Sequence, residues 1–199
     1  MRPDKAPFTR MLIAANAIEP DDFQFWVFRQ EMLFNATGKW WGDFGRRDFP
    51  HEGVDFCLYA DRSGKINPIG AQTRIPVMND GVVRAVSKDY LGMAVIIEHE
   101  WTADKSAKFI SAYAHTVPQE WIQPGVTVKR GDLLATIADT SASKAKILPH
   151  LHFSFGRISP KLDYEHFVWN IMRDPDLVTL RDPMEIFDGP YRVLVPSED

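Results

Sequence analysis

The chain has 199 residues, 45% of them hydrophobic and 25% charged, with a formal net charge of −4. This is an ordinary globular composition with room for one sizeable core, and its acidic balance argues against a dedicated nucleic-acid binder, which carries a basic face. Cys57 is the single cysteine, so an intrachain disulfide and a cysteine-based zinc cluster are both excluded. No stretch approaches the ~18 apolar residues of a membrane helix, so no membrane span is expected. The apolar run from Met11 to Ala15 is shorter than the roughly 7–15 residues of a secretory signal core, and no signal peptide is read there.

In chain order, residues 11–34 carry helical signals. Pro20, Asp21 and Asp22 suit a first helical turn, and Phe23, Trp26 and Val27 follow at helical spacing. A helical N-terminal extension over residues 1–39 is therefore expected. Residues 35–47 hold three glycines and read as a loop anchored by Trp40, Trp41 and Phe44. From Val54 the period shortens. The runs "VDFCLYA", "RIPVMNDGVVRAVSK", "MAVIIEHE", "KFISAYAH", "VTVKRGDLLATIA" and "HLHFSF" are β-like, with turns at Asn79-Asp80-Gly81 and Lys129–Asp132. They predict an antiparallel, β-rich core of many short strands. Helical character returns over 159–180, best in "YEHFVWNIM", and "RDPMEIF" leads into a tail over 189–199.

Chemistry-bearing residues sit on this frame in three places. In "HEGVDF", Pro50 biases Phe49 away from helix and Gly53 suits a bend. His51 is then in a turn and Asp55 at the start of a strand, and the bend can fold the imidazole back over the carboxylate. Taken alone, the pair is better explained by Asp55 capping a turn and His51 lying exposed. In "PHLHFSF", His150 and His152 are two apart and share one strand face, with Leu151, Phe153 and Phe155 on the other. In "SAYAHTV", His115 ends an alternating apolar run. These five groups offer nitrogen and oxygen ligands suited to zinc. A catalytic zinc takes three protein ligands and a water, which leaves two histidines for chemistry. No His-Glu-x-x-His helix is present to supply the usual metalloprotease base.

The set "GRRDFPHEGVDF", "AYAH" and "HLHF", in this order, resembles the lysostaphin-type, or LytM-like, zinc endopeptidases that cut peptidoglycan peptides. The strands "RIPVMNDGVVRAV", "MAVIIEHE" and "VTVKRGDLLATI" and the closing "RDPMEIF" resemble that family too, so the likeness covers residues 40–188 with an insertion at 159–180. The resemblance implies an antiparallel duplicated-hybrid-motif β-sandwich or barrel. It implies zinc held by His51, Asp55 and His152, with His115 and His150 flanking the catalytic water and the substrate carbonyl. His99 takes a structural role by position, and His166 reads as a plain helix residue. The aromatic loop is expected to cover the metal or line the groove, the alternative being that it only closes the core. Two departures stand out: "ADTSASKAKILPH" lacks the glycine-rich turn usual before the His-x-His, which bears on one groove wall. The resemblance also implies the cell envelope, whereas no export signal is read; either the protein stays inside the cell or the export segment lies outside this sequence.

The expected partner is a peptidoglycan peptide, with the protein a monomer or weak oligomer. Three other functions compete. A degenerate LytM-like domain that binds and regulates another wall hydrolase would typically lack ligands, which here are all filled. A phosphocarrier of the glucose-transport type would not need Asp55 beside His51. A lipoyl- or biotin-carrier barrel, suggested by "VKRGDLLATI", would need a lysine in an exposed hairpin.

Overall fold

The computed structural model describes residues 7–16, 22–100, 108–165 and 167–194. Helix α1 (Phe8–Ala15) and strand β1 (Phe25–Arg29) come first. The middle of the chain carries β2 (Val54–Phe56), β3 (Leu58–Ala60), β4 (Ile66–Pro68), β5 (Arg74–Pro76), β6 (Gly81–Lys88) and β7 (Met93–Glu100). It continues with β8 (Lys108–Pro118), β9 (Thr127–Val128), β10 (Leu133–Ile137) and β11 (Leu151–Ile158), and β12 (Val178–Arg181) and β13 (Tyr191–Leu194) follow.

The larger sheet runs β12-β11-β8-β7-β6-β9, with β2 on β11 and β10 joining β8 to β5; the smaller runs β13-β1-β3-β4. The fold is thus β-rich, and neither sheet closes into a barrel among the described residues. The run read as one strand over 54–60 is two. Val54–Phe56 pairs with β11 in the larger sheet and Leu58–Ala60 pairs with β1 and β4 in the smaller, with buried Cys57 at the corner.

The expected N-terminal helix is present as α1, but the helical reading does not extend over residues 25–34, nor does it hold over the described residues of 159–180. Phe25–Arg29 is a strand followed by a 3-10 turn at Gln30–Met32, and α1 is the only α-helix described. Phe25, Trp26, Val27 and Phe28 are four β-formers in a row. Sandwiched between β3 and the parallel β13, the strand buries Trp26, Val27 and Phe28 together, which one helical stripe could not. Pro20 and Asp21 lie outside the described residues. In the 159–180 segment, Trp169–Arg173 forms a 3-10 turn and Val178–Arg181 adds strand β12 to the sheet edge. Aromatic and β-branched residues give this stretch low helix propensity, and its apolar side chains are satisfied by the sheet instead. His166 lies outside the described residues.

The central strands are covered on both faces, so they read as nearly continuous apolar runs. Val95, Ile97, Tyr113 and Phe153 face the main core, which also takes Phe8 and Leu12 of α1, Trp26, Phe28, Phe56 and Phe187. Ile96, Ile110 and Ala112 face a second core closed by Phe167, Met172 and Val178. Phe28 is fully buried and meets the rings of Phe56 and Tyr191 at 5.4 and 6.0 Å. Phe28→Ala should therefore lower stability by about 3–5 kcal/mol in denaturant unfolding; a loss below about 1 kcal/mol would mean that β1 is not part of the core.

Candidate metal centre

His152 and Asp55 are directly opposed in the β11–β2 register, so their side chains share one face at close range. Gly53 makes the next step possible. A Cβ there would stand 2.2 Å from the Phe153 carbonyl oxygen, so only glycine lets the chain hug β11 and turn His51 back over the pair. The backbone of His51 is pinned by its N–H to Ala36 O (3.0 Å) and by its carbonyl accepting from Asn35 N–H (2.9 Å).

Three donor atoms converge as a result. His51 Nε2 is 3.0 Å from Asp55 Oδ1 and 3.0 Å from His152 Nδ1, and His152 Nδ1 is 2.9 Å from Asp55 Oδ1. All three residues are buried, and the group could hold a metal ion. Ligand atoms about 2.0–2.1 Å from a tetrahedral zinc stand about 3.3 Å from one another, so the triangle is nearly the right size. Its electrostatics fit too. His51 Nδ1 lies 3.0 Å from the Leu33 carbonyl, which can only accept, so Nδ1 carries a hydrogen and Nε2 is the nitrogen turned to the Asp55 oxygen. A metal ion at the centre could take the place of a proton shared between this nitrogen and the carboxylate oxygen. His152 Nε2 bonds Ser154 Oγ at 2.9 Å. The second Asp55 oxygen accepts from the Trp40 indole at 2.7 Å and lies 3.5 Å from Arg47 Nη2. These outer bonds orient the donors. Burial opposes ionisation of Asp55, but His51, His150 and His152 outweigh it and hold the carboxyl well below its usual range.

His150 and His115 stand beside this triangle. His150 is buried, donates Nδ1–H to Leu148 O at 2.8 Å, and brings Nε2 to 3.8 Å from Asp55 Oδ1. Burial pushes its pKa down to about 3, against the pull of Asp55, so the ring is neutral with Nε2 bare. His115 should by alternation point with Tyr113 into the core. A β-bulge prevents this: Met93 pairs with Thr116 and Val95 with Tyr113, so Ala94 faces both Ala114 and His115. His115 adopts φ +64° there and its ring comes to 4.8 Å from that of His150 and 5.7 Å from that of His152. Half-buried Asp89, which no sequence motif had flagged, holds the bulge. It accepts from His115 N–H at 2.6 Å and from the amides of Leu91 and Gly92, and its Oδ1 is 3.2 Å from His115 Nδ1, at ion-pair range but off the line of a hydrogen bond. Burial raises the Asp89 carboxyl, yet the His115 side chain and these amides bring it to about 2.

The structure thus gathers all five residues singled out in the sequence. His99 is elsewhere, its two ring nitrogens engaged with Asp80 O and Ser111 Oγ, and burial lowers its pKa. The aromatic loop divides. Trp40 is buried, serves Asp55 and packs 5.0 Å from the His150 ring, and it also borders, with Trp41, Phe44 and Leu148, a cavity of about 350 Å³. Asp89 and the Trp40–Asp55 bond were missed because both act across the fold; Ser154 continues the period-2 row of His150 and His152 and could have been found.

The sequence profile of peptidase family M23 matches residues 50–163. Among solved structures, the chain is 20% identical to the catalytic domain of the antimicrobial peptidase lysostaphin from Staphylococcus simulans, covering 74% of this chain and 86% of that one with a TM-score of 0.43. It is 26% identical to a putative M23 peptidase from Pseudomonas aeruginosa, over 64% of this chain and 48% of that one (TM-score 0.38). It is 20% identical to a variant catalytic domain of the prophage-encoded M23 protein EnpA from Enterococcus faecalis, over 64% and 86% (TM-score 0.40). No curated protein sequence is significantly similar. The family assignment rests on the match over residues 50–163.

Trp40→Phe keeps the ring against His150 and removes the indole donor to a buried carboxylate. It should cost about 1–3 kcal/mol in denaturant unfolding; an unchanged midpoint would show that Trp40 does not support Asp55.

Proposed function

Because the chain belongs to peptidase family M23, we propose that it is a zinc-dependent endopeptidase that hydrolyses peptide bonds in peptidoglycan cross-links or bridges. The observation that carries the reading is the buried triangle of His51 Nε2, Asp55 Oδ1 and His152 Nδ1, each about 3 Å from the others and turned towards a common centre. The peptidoglycan substrate is inferred from the likeness of the motifs around these residues to lysostaphin-type endopeptidases. Zinc at such a site supplies Lewis-acid polarisation of the attacking water and of the scissile carbonyl.

The protein's own groups account for the remaining work. Leu33 O fixes the His51 tautomer, and Trp40 keeps one Asp55 oxygen occupied so that only Oδ1 faces the centre. Neutral His150, its hydrogen committed to Leu148 O, offers Nε2 as a hydrogen-bond acceptor that orients the attacking water. His115 sits at the partly exposed mouth of the site. Carrying a proton on both nitrogens, His115 would pair Nδ1 with Asp89 and turn an Nε2–H to the substrate carbonyl, where a donor steadies the charge that develops on oxygen. Asp89 positions His115 and touches no reacting atom.

Purified protein should carry about one zinc per chain, and His152→Ala or Asp55→Asn should lose most of it in metal analysis. Full zinc occupancy in both variants would remove the ligand assignment. At equal zinc loading, His150→Ala and His115→Ala should each lower turnover on defined muropeptides by about 10²–10³, and together by less than the product. Loss of zinc from His150→Ala with retention in His152→Ala would exchange their roles. A fully zinc-loaded wild-type chain that cleaves no muropeptide, with products read by mass spectrometry, would point to a domain that binds wall peptides and regulates another hydrolase.

A further inference from the structure

The sheet face that carries His152 is closed immediately beyond it. In the β11–β8–β7 register, Ser154, Ala112 and Ile96 form the next row on that face, and all three are 0% exposed. Their cover is the segment after β11, whose Phe167 and Met172 are buried in the second core with Leu162 and Trp169 packed against it. At the border between cover and metal centre stands Trp169. Its ring meets the His152 ring edge-on, with centroids 5.3 Å apart and planes at 70°.

The wall is tied to the loop that presents His51. Glu52, the next residue, is buried and accepts both the Trp169 indole N–H, at 3.2 Å, and Arg173 Nε. The Arg173 guanidinium lies over the Phe49 ring, 4.4 Å from its centre. One carboxylate thus holds two side chains of the 3-10 turn against the ligand loop. The other flank of the centre is different: His115 is partly exposed, and Trp40, whose ring lies 5.0 Å from that of His150, lines a cavity with Trp41, Phe44 and Leu148.

We propose that Trp169, anchored through Glu52, closes one end of the substrate groove, so that the peptides accepted are those whose scissile bond lies close to one chain end, their longer arm leaving past His150. An extended peptide advances about 3.3–3.6 Å per residue. The Trp169 ring touches that of His152 edge-on, so no peptide passes between them, and a chain extended by more than a residue or so towards Trp169 meets the wall. The substrate class is a short stem or a terminal segment rather than the middle of a long strand. This inference rests on the peptidase reading above.

The test uses phosphinic pseudo-peptides, in which a phosphinate replaces the scissile amide, lengthened one alanine at a time on either side. Their dissociation constants are measured by calorimetry on the zinc-loaded full chain. Extension beyond the first residue on one side should weaken binding by roughly tenfold or more, while extension on the other side leaves it equal or tighter. Trp169→Ala should abolish the difference and Arg173→Ala, at an exposed position, should reduce it. Should Trp169→Ala fail to fold, Trp169→Leu keeps an apolar side chain against the second core and carries the same expectation. Equal tolerance on both sides in the wild-type chain overturns the wall and leaves the peptidase reading standing. An asymmetry unchanged in the folded Trp169 variants overturns its assignment to Trp169. Failure of every analogue to bind the zinc-loaded chain overturns the wall and the peptidase reading together.

Discussion

A carboxylate with almost no access to water organises this protein. Asp55 is 2% exposed, and a buried charge is tolerated only when paired and fully hydrogen-bonded. One oxygen is answered by Trp40 and, at longer range, by Arg47; the other faces two imidazoles. Much of the local architecture follows. The β2–β11 register must set His152 opposite Asp55, Gly53 must leave no Cβ between the strands, and the loop over residues 35–47 must come close enough to deliver an indole. Each of these is a backbone requirement imposed by one side chain.

Much of the frame was legible in sequence because it obeys period 2. The strands over 81–88, 93–100, 108–118 and 151–158 fall where alternation or continuous apolar runs place them, and the His-x-His spacing put His150 and His152 on one face. The misreadings came where period is a poor guide. Residues 25–28 form a short aromatic run, and such runs match a helical stripe and a strand about equally well; tertiary burial decided for the strand. The site was legible in its ligating residue types and not in its supports. Asp89 precedes His115 by 26 positions and meets it only because β7 and β8 pair with a bulge, a feature that leaves no mark in hydrophobic pattern.

The sheet serves two purposes with its two faces. The main core takes one face and spans both sheets. The other face is shared between chemistry at the His115–His152 end and a second core at the Ile110 end. The segment after β11 therefore does more than lengthen the chain. By covering the apolar end of that face it keeps Ile96, Ile110 and Ala112 from water, an exposure that would otherwise invite association.

The parallel pairing of β1 with β13 also has a kinetic side. It joins residues near 26 to residues near 191, and β1 in turn hydrogen-bonds β3, next to the corner that leads from Asp55. His51 and His152 are themselves 101 positions apart. Contacts of such high separation repay their loop-closure entropy only late in folding. The triangle of donor atoms therefore exists only where these distant segments have met, and nascent or partly unfolded chains would present a metal ion with only scattered histidines.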